Sequence, residues 1–111
     1  MKDEFKNKIE AIVRAIPRGM TLPYGKIAFY AGYPGAARAV GTLMAHNHDP
    51  KVPCHRVVRS DGKIGLYNRG GPAAKKKRLA MEKAFDKNST IRIWQPTIKE
   101  IGTALKKASQ K

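Results

Sequence analysis

The sequence is poor in cysteine and in long apolar runs. Its 111 residues include one cysteine, Cys54, so an internal disulfide is impossible and we expect a reduced thiol. No apolar run is long enough to span a membrane, and the opening segment MKDEFKNKIE lacks the apolar region of a signal peptide. We therefore expect no segment that crosses a membrane, and a location in the cytoplasm, associated with the nucleoid, of a prokaryote or in the nucleus of a eukaryote.

Acidic residues are also scarce. Eight Asp and Glu face 23 Lys and Arg, which gives a formal net charge of +15. Solubility does not require this excess, and the self-repulsion that it causes indicates a polyanionic partner. Nucleic acid is the first candidate and an anionic membrane surface the second. The alternative is that basic residues are simply common in the proteome of origin.

Length and periodicity predict one domain over residues 1–111 with an α+β, mostly helical fold. Helices are predicted over 4–16, 22–32 and 36–46, the last two forming a helix-turn-helix around the turn YPG. A strand at CHRVV, a turn at Asp61-Gly62 and a weak strand in IGLYNRGG predict a short β-hairpin. A fourth helix begins at Pro72 and runs to Phe85, followed by a strand at TIRIW and a basic helix over 97–108. This order is that of a winged helix-turn-helix.

The segment KVPCHRVV places Cys54 next to His55. A thiol becomes a good nucleophile only as thiolate, which requires a base or a positive field, and the base in turn needs an orienting group. Neighbours on a strand point to opposite faces, so coupling between the two residues would run through a kink or a water. Glu82 is the most interior acidic candidate for the orienting group. From the residues alone, Cys54 as a small buried hydrophobe and Glu82 as a surface partner of Arg78 remain open.

A metal site is the other chemical reading of this region. His46, His48, Cys54 and His55 match zinc-ligand spacing loosely. Strand geometry would point Cys54 and His55 apart, which opposes a shared ion, and we predict no metal.

The hexapeptide PCHRVV resembles the active-site motif of the O6-alkylguanine-DNA alkyltransferases. The segments LPYGKIA, AARAVG and RSDGKIGLY, and the lysine-rich helix leading to Glu82, follow in that family's order. The resemblance covers about residues 5–85 and corresponds to the family's C-terminal domain, so a minimal form is implied. The tail, residues 86–111, does not resemble the family; it has no assigned role, although its lysines could add DNA contacts.

The resemblance implies a single-turnover repair protein. A monomer without any cofactor would take an alkyl group from O6-alkylguanine in duplex DNA onto Cys54 after flipping the base out of the helix. His55 would act as base through a water, and Glu82 would orient it. Asn47 would brace the turn before the cysteine, although it precedes Cys54 by seven residues rather than the family's eight.

The resemblance also implies a DNA surface and a pocket. Arg38 would fill the gap left by the flipped base, Tyr24 would crowd the target phosphate, and a slim helix face would approach the minor groove through Ala36, Ala37 and Gly41. Pro53, Tyr67 and Lys75 would border the guanine pocket. The segment after Tyr67 is one residue longer than in the family, so Asn68 or Arg69 takes the place of a serine that contacts the alkylated oxygen.

Two further functions compete with alkyl transfer. Alkyltransferase-like proteins share the PxHRV frame and similar size, carry tryptophan or alanine in place of the cysteine, and recruit excision repair to alkylated DNA without repairing it. Cys54 favours transfer over that reading. The third candidate, a basic RNA-binding or ribosomal protein, rests on size and charge alone.

Overall fold

The computed structural model describes residues 2–61, 63–65 and 67–108 of the chain. Within them the helices are α1 (Lys2–Ala15), α2 (Tyr24–Tyr30), α3 (Ala37–Ala45), α4 (Gly71–Met81) and α5 (Ile98–Ala108). A single 3₁₀ turn spans Cys54–Arg56. Two short strands, β1 (Leu22–Pro23) and β2 (Val57–Val58), form one parallel pair.

The predicted apolar stripe of α1 forms the centre of the main core. Ile9, Ile12 and Val13 are fully buried, and Ile16 directly after the helix is 1 % exposed. Pro17 cannot continue the helix, and Gly19 adopts a φ of +91° in the turn that follows. A side chain at Gly19 would also lie 3.1 Å from the Glu82 carbonyl oxygen. The glycine therefore lets the end of α1 approach the end of α4.

Helices α2 and α3 form the predicted helix-turn-helix. Ile27 and Ala28 of α2 and Val40 and Met44 of α3 are buried in the main core. Helix α2 is shorter than predicted because Leu22 and Pro23 are extended and pair with Val57 and Val58. This pairing joins the start of the helix-turn-helix to the residues directly after the Cys54–Arg56 turn.

The segment CHRVV differs from the predicted strand over its first half. After Pro53 the chain turns, and the Arg56 amide donates to the Pro53 carbonyl oxygen at 2.9 Å, so Cys54 and His55 are not neighbours on a pleated strand. The following turn is closed by the Arg59 amide donating to the Lys63 carbonyl oxygen at 3.0 Å. The wing is the segment from β2 through this turn to Tyr67. In its described part, β2 pairs with β1 and not with the segment after the turn. Gly62 and Leu66 lie outside the described residues.

Helix α4 ends four residues before the predicted Phe85. The Ala84 amide donates to the Leu79 carbonyl oxygen at 2.9 Å and the Lys83 amide to that of Ala80 at 3.0 Å, while Lys83 has a φ of +61°. These are the bonds of a Schellman motif, which stops a helix by a left-handed residue. Glu82 is therefore the C-terminal capping residue of α4 and faces the end of α1.

The tail is part of the same core, although no role was assigned to it. The predicted strand TIRIW forms isolated bridges, in which Thr21 accepts from the Trp94 amide at 2.7 Å and donates its own amide to Arg92 at 2.8 Å. The predicted basic helix is α5, which packs on α1 and buries Ile101 and Ala104. None of the described helices is long and apolar enough to cross a membrane.

Candidate active site at Cys54

Cys54 lies at the side of an open cleft of about 1350 Å³. The residue is 6 % exposed, and its amide donates to the Val52 carbonyl oxygen at 2.8 Å. Helix α3 forms one wall of the cleft, and residues from the wing and the start of α4 form the other. The polar and charged residues lining it are Tyr24, Arg38, Thr42, Arg59, Ser60, Lys63, Tyr67 and Asn68.

The structure brings His55, the residue directly after Cys54, into contact with Glu82. His55 is 2 % exposed, and its Nε2 lies 3.0 Å from Oε1 of Glu82, whose side chain is 7 % exposed. The 3₁₀ turn supplies the histidine and the cap of α4 supplies the carboxylate, 27 residues further along the chain. The pair is therefore buried, and its geometry is fixed by elements that are distant in sequence.

Arg56 is the third member of this cluster, and sequence reasoning missed it. Its Nε and Nη2 donate to the two carboxylate oxygens of Glu82 at 3.0 and 2.9 Å, and its Nη1 donates to the Ile16 carbonyl oxygen at 3.0 Å. A bidentate bond of this kind fixes both position and orientation of a carboxylate. Both partners of Arg56 lie far away in sequence, so no local pattern predicts these bonds. Membership of the PCHRVV motif was the one sequence feature that pointed to Arg56.

Burial and hydrogen bonding set the charge states of the pair. Burial lowers the pKa of His55 and outweighs the opposing effect of the Glu82 carboxylate. Burial also acts to raise the pKa of Glu82, but the hydrogen bonds from Arg56 and His55 overcome it and lower that pKa to about 2. At neutral pH the carboxylate is ionised and the imidazole is neutral. The neutral ring donates Nε2–H to Glu82, which leaves Nδ1 as its basic nitrogen.

Lys75 is buried next to Cys54 rather than lining the cleft. The residue is 1 % exposed, and burial lowers its pKa to about 8, with the neighbouring Cys54 acting in the opposite direction. Its Nζ lies 5.9 Å from the centre of the Tyr24 ring. Gly65, with a φ of +84°, packs against both side chains. A Cβ atom at this position would lie 3.6 Å from Lys75 Nζ and 3.6 Å from the Tyr24 hydroxyl.

Most of the predicted DNA-binding residues share the cleft. Arg38 is exposed near the start of α3 and lines the cleft together with Ala37, Gly41 and Tyr24. A methyl group at Gly41 would lie 3.9 Å from the Tyr24 ring, an ordinary contact. Ala36 differs, because it precedes α3 and packs against the main core.

The predicted pocket residues divide into two groups. Tyr67 and Asn68 line the cleft, and the Tyr67 hydroxyl accepts a hydrogen bond from Arg78 Nη1 at 2.9 Å. Arg78 thus bonds the pocket wall and not Glu82, which corrects the alternative of a surface pair. Pro53 and Arg69 are absent from the described lining of the cleft, and Pro53 instead precedes the 3₁₀ turn.

Asn47 lies at the centre of the loop before the cysteine. It is 7 % exposed, its Nδ2 donates to the carbonyl oxygens of Val52 and Asp49 at 3.2 and 3.3 Å, and its Oδ1 accepts from the Asp49 amide at 3.1 Å. The side chain therefore joins the backbone at Asp49 to that at Val52 within this loop. Among the residues described, no three His, Cys, Asp or Glu side chains are grouped so that they could hold a metal ion.

A family model described as "6-O-methylguanine DNA methyltransferase, DNA binding domain" matches residues 4–84. The mouse methylated-DNA–protein-cysteine methyltransferase is 50% identical over 72 residues, which are 64% of this chain and 34% of that protein. The protein of the same name from Mycolicibacterium paratuberculosis is 45% identical over 83 residues, 72% of this chain and 48% of that protein. This chain thus spans between a third and a half of the length of these relatives.

Two solved structures resemble the fold over most of the chain. Mycobacterium tuberculosis OGT in complex with DNA has a TM-score of 0.67 and 44% identity, covering 71% of this chain and 49% of its own. S. pombe Atl1 in complex with damaged DNA containing O6-carboxymethylguanine has a TM-score of 0.71 and 34% identity. That match covers 85% of this chain and 97% of Atl1.

Proposed function

Because the chain belongs to the 6-O-methylguanine DNA methyltransferase family, we propose that it repairs O6-alkylguanine in double-stranded DNA by transferring the alkyl group to Cys54. It would act once per molecule, as a methylated-DNA–[protein]-cysteine S-methyltransferase. The observation that carries the proposal is that Cys54 lines a cationic cleft and is followed directly in the chain by His55, which forms a buried pair with Glu82.

The cleft supports binding of a flipped nucleotide. An alkylated O6 inside the base stack cannot reach a thiolate, so the nucleotide must leave the duplex first. Arg38 is exposed on the helix wall of the cleft, where it can occupy the vacated position in the stack while Tyr24 crowds the backbone. The small residues Ala37 and Gly41 let α3 approach a groove closely, and we assign α3 to the minor groove.

The buried cluster of His55, Arg56 and Glu82, called the relay below, supports the chemical step. His55, neutral and with its Nε2–H given to Glu82, takes the thiol proton through a water. The thiolate sulfur forms a bond to the alkyl carbon as the bond between that carbon and guanine O6 breaks. The electron pair stays on the guanine, which receives the proton. The thioether product is stable, so each molecule acts once and needs no organic or metal cofactor.

The proposed partner is alkylated duplex DNA, bound by a monomer wherever the cell keeps its DNA, in the nucleoid or the nucleus. The net charge of +15 supports it, because lysine and arginine contacts to phosphates provide affinity without sequence preference. Damage can occur at any sequence, so weak discrimination suits this task. Binding by phosphate contacts also implies a strong dependence on salt.

A direct test is the mass of the peptide containing Cys54 after incubation with a duplex bearing O6-methylguanine. We expect one added methyl group per molecule and none with an undamaged duplex. Cys54→Ser should bind the lesion but gain no methyl group. A wild-type chain that binds the lesion and gains no methyl group would overturn the proposal.

That last result would favour a second candidate, a non-enzymatic binder of alkylated DNA. The match to Atl1 over 97% of the Atl1 chain is the observation that favours it. The presence of Cys54 beside a buried histidine and carboxylate favours transfer.

A further inference from the structure

Asn68 carries the further inference, because it joins three parts of the site that are distant in sequence. Its Nδ2 donates to the carbonyl oxygens of Ala45 and Asn47, each at 2.8 Å. Carbonyl oxygens only accept hydrogen bonds, so the amide nitrogen, and not the amide oxygen, must face them. Both N–H bonds of Asn68 are thereby used.

The first of these bonds reaches the helix that bears Arg38. Ala45 is the last residue of α3, and carbonyl groups at the end of a helix have no partner within the helix. Asn68 supplies the missing donor from the segment that follows Tyr67. The amide therefore fixes the pocket segment that follows Tyr67 to the C-terminal end of α3.

The second bond reaches the loop that carries the nucleophile. Asn47 accepts from Asn68 through its backbone carbonyl and, through its side chain, donates to the Val52 carbonyl oxygen at 3.2 Å. The same Val52 oxygen accepts from the Cys54 amide at 2.8 Å. A short series of hydrogen bonds thus runs from Asn68 through Asn47 and Val52 to Cys54.

This arrangement connects the two segments whose lengths differ from the family pattern. The loop before Cys54 is one residue shorter than the family pattern, and the segment after Tyr67 is one residue longer. Asn68 belongs to the longer segment and bonds the shorter loop. With both N–H bonds in use, its side chain has no donor left for the alkylated oxygen, which is itself only an acceptor.

We propose that Asn68 is a positioning residue that sets the width of the alkyl pocket and holds Cys54 in register with α3. This inference rests on the proposed function. Asn68 is exposed, so its bonds contribute little to global stability and variants should fold. Their release should instead let the pocket segment move away from the sulfur, and a displacement of about 1 Å can slow a reaction by up to about 100-fold.

The test compares Asn68→Asp and Asn68→Ala with the wild type on duplexes bearing O6-methylguanine or O6-benzylguanine. Asp places a second oxygen opposite the two carbonyls, and Ala removes the side chain. At saturating DNA we expect the rate of methyl transfer to fall by about 10- to 100-fold. The ratio of benzyl to methyl transfer should rise, because a wider pocket favours the larger group. Asn88→Asp, an exposed asparagine in a turn of the tail, is the matched control and should keep both rates.

The outcomes separate the two proposals. If the wild type transfers no alkyl group, the proposed function fails, and the role of Asn68 in transfer fails with it. If the wild type is active and both variants match it in rate and in ratio, the inference about Asn68 alone is overturned. Loss of both rates in the same proportion would mean that Asn68 does not set the width of the pocket, which also overturns the inference. If thermal unfolding shows that Asn68→Asp is not folded, the result for Asn68→Ala decides the question.

Discussion

The two sides of Cys54 are built in opposite ways. On the relay side, His55, Arg56 and Glu82 are enclosed, and four hydrogen bonds of 2.9 to 3.0 Å join them to each other and to Ile16. On the cleft side, Arg38 and Lys63 are exposed along an open surface. In the proposed function, the buried cluster is a fixed environment for the proton, and the open cleft is an adaptable, cationic surface for DNA. Each side should therefore fail in its own way when it is changed.

Glu82→Ala should have the largest effect, because it breaks the relay side. The change leaves Arg56 and His55 without their common partner, and an orphaned buried charge costs about 3–5 kcal/mol of unfolding free energy. We also expect transfer to slow by about 100-fold or more, because the base loses its orienting group. Urea unfolding and single-turnover transfer measure the two effects.

The matched control is Glu100→Ala, which removes an exposed carboxylate from the first turn of α5 and should cost about 1 kcal/mol or less, without slowing transfer. Transfer at the wild-type rate by folded Glu82→Ala would remove Glu82 from the relay.

Arg38→Ala should change the cleft side only. The side chain is exposed, so the unfolding free energy should stay within about 0.5 kcal/mol of wild type. Transfer from a duplex should slow by about tenfold or more, since the flipped state loses a stabilising contact. Transfer from free O6-benzylguanine, which needs no flipping, should be unaffected. A loss of equal size with the free base would contradict the assigned role, and Lys6→Ala on α1 serves as the control.

Acidification should act on the relay side first. His55 has a lowered pKa in the folded protein, so the unfolded state binds more protons below about pH 6.5, and stability should begin to fall there. Glu82, with its pKa lowered from 4.5 to about 2, should add a further loss of stability as the pH drops between those values. Urea midpoints from pH 7 to pH 3 test this. If Glu82→Gln shows the same decline below pH 4.5, the carboxylate is not its source.

The smallest expected effect is on salt dependence. Lys63→Ala should reduce the slope of log affinity against log salt by about 1, if Lys63 contacts one phosphate. Folding should be unchanged. Equilibrium titration of duplex DNA at several salt concentrations gives the slope, and Lys6→Ala provides the comparison for an exposed cation on α1 that does not line the cleft. Equal slopes for both variants would mean that the cleft is not the DNA surface.

Local patterns predicted the helices well, and long-range contacts explain where they failed. The stripe of α1, the helix-turn-helix and α5 follow from apolar spacing, which needs only neighbouring residues. The 3₁₀ turn at Cys54, by contrast, follows from Pro53 and from the pairing of β2 with β1. The packing of α5 on α1 connects opposite ends of the chain, which no local window reveals.

The same distinction holds for the site. The resemblance named Cys54, His55 and Glu82, and the structure brings the last two into contact. It did not name Arg56 or Arg78, because their functions depend on partners that only the folded chain supplies. Either Asn68 or Arg69 was predicted to contact the alkylated oxygen, whereas the N–H bonds of Asn68 are directed at backbone carbonyl oxygens.

The chain has one cysteine, and that number has a consequence for the cell. If Cys54 keeps the one alkyl group that it accepts, protection against alkylation is limited by the number of protein molecules and not by how fast each molecule reacts. The number of intact copies at the moment of exposure then decides how many lesions can be removed, and recovery waits for new synthesis. The proportion of copies that carry a thioether at Cys54 would be a cumulative record of the damage met.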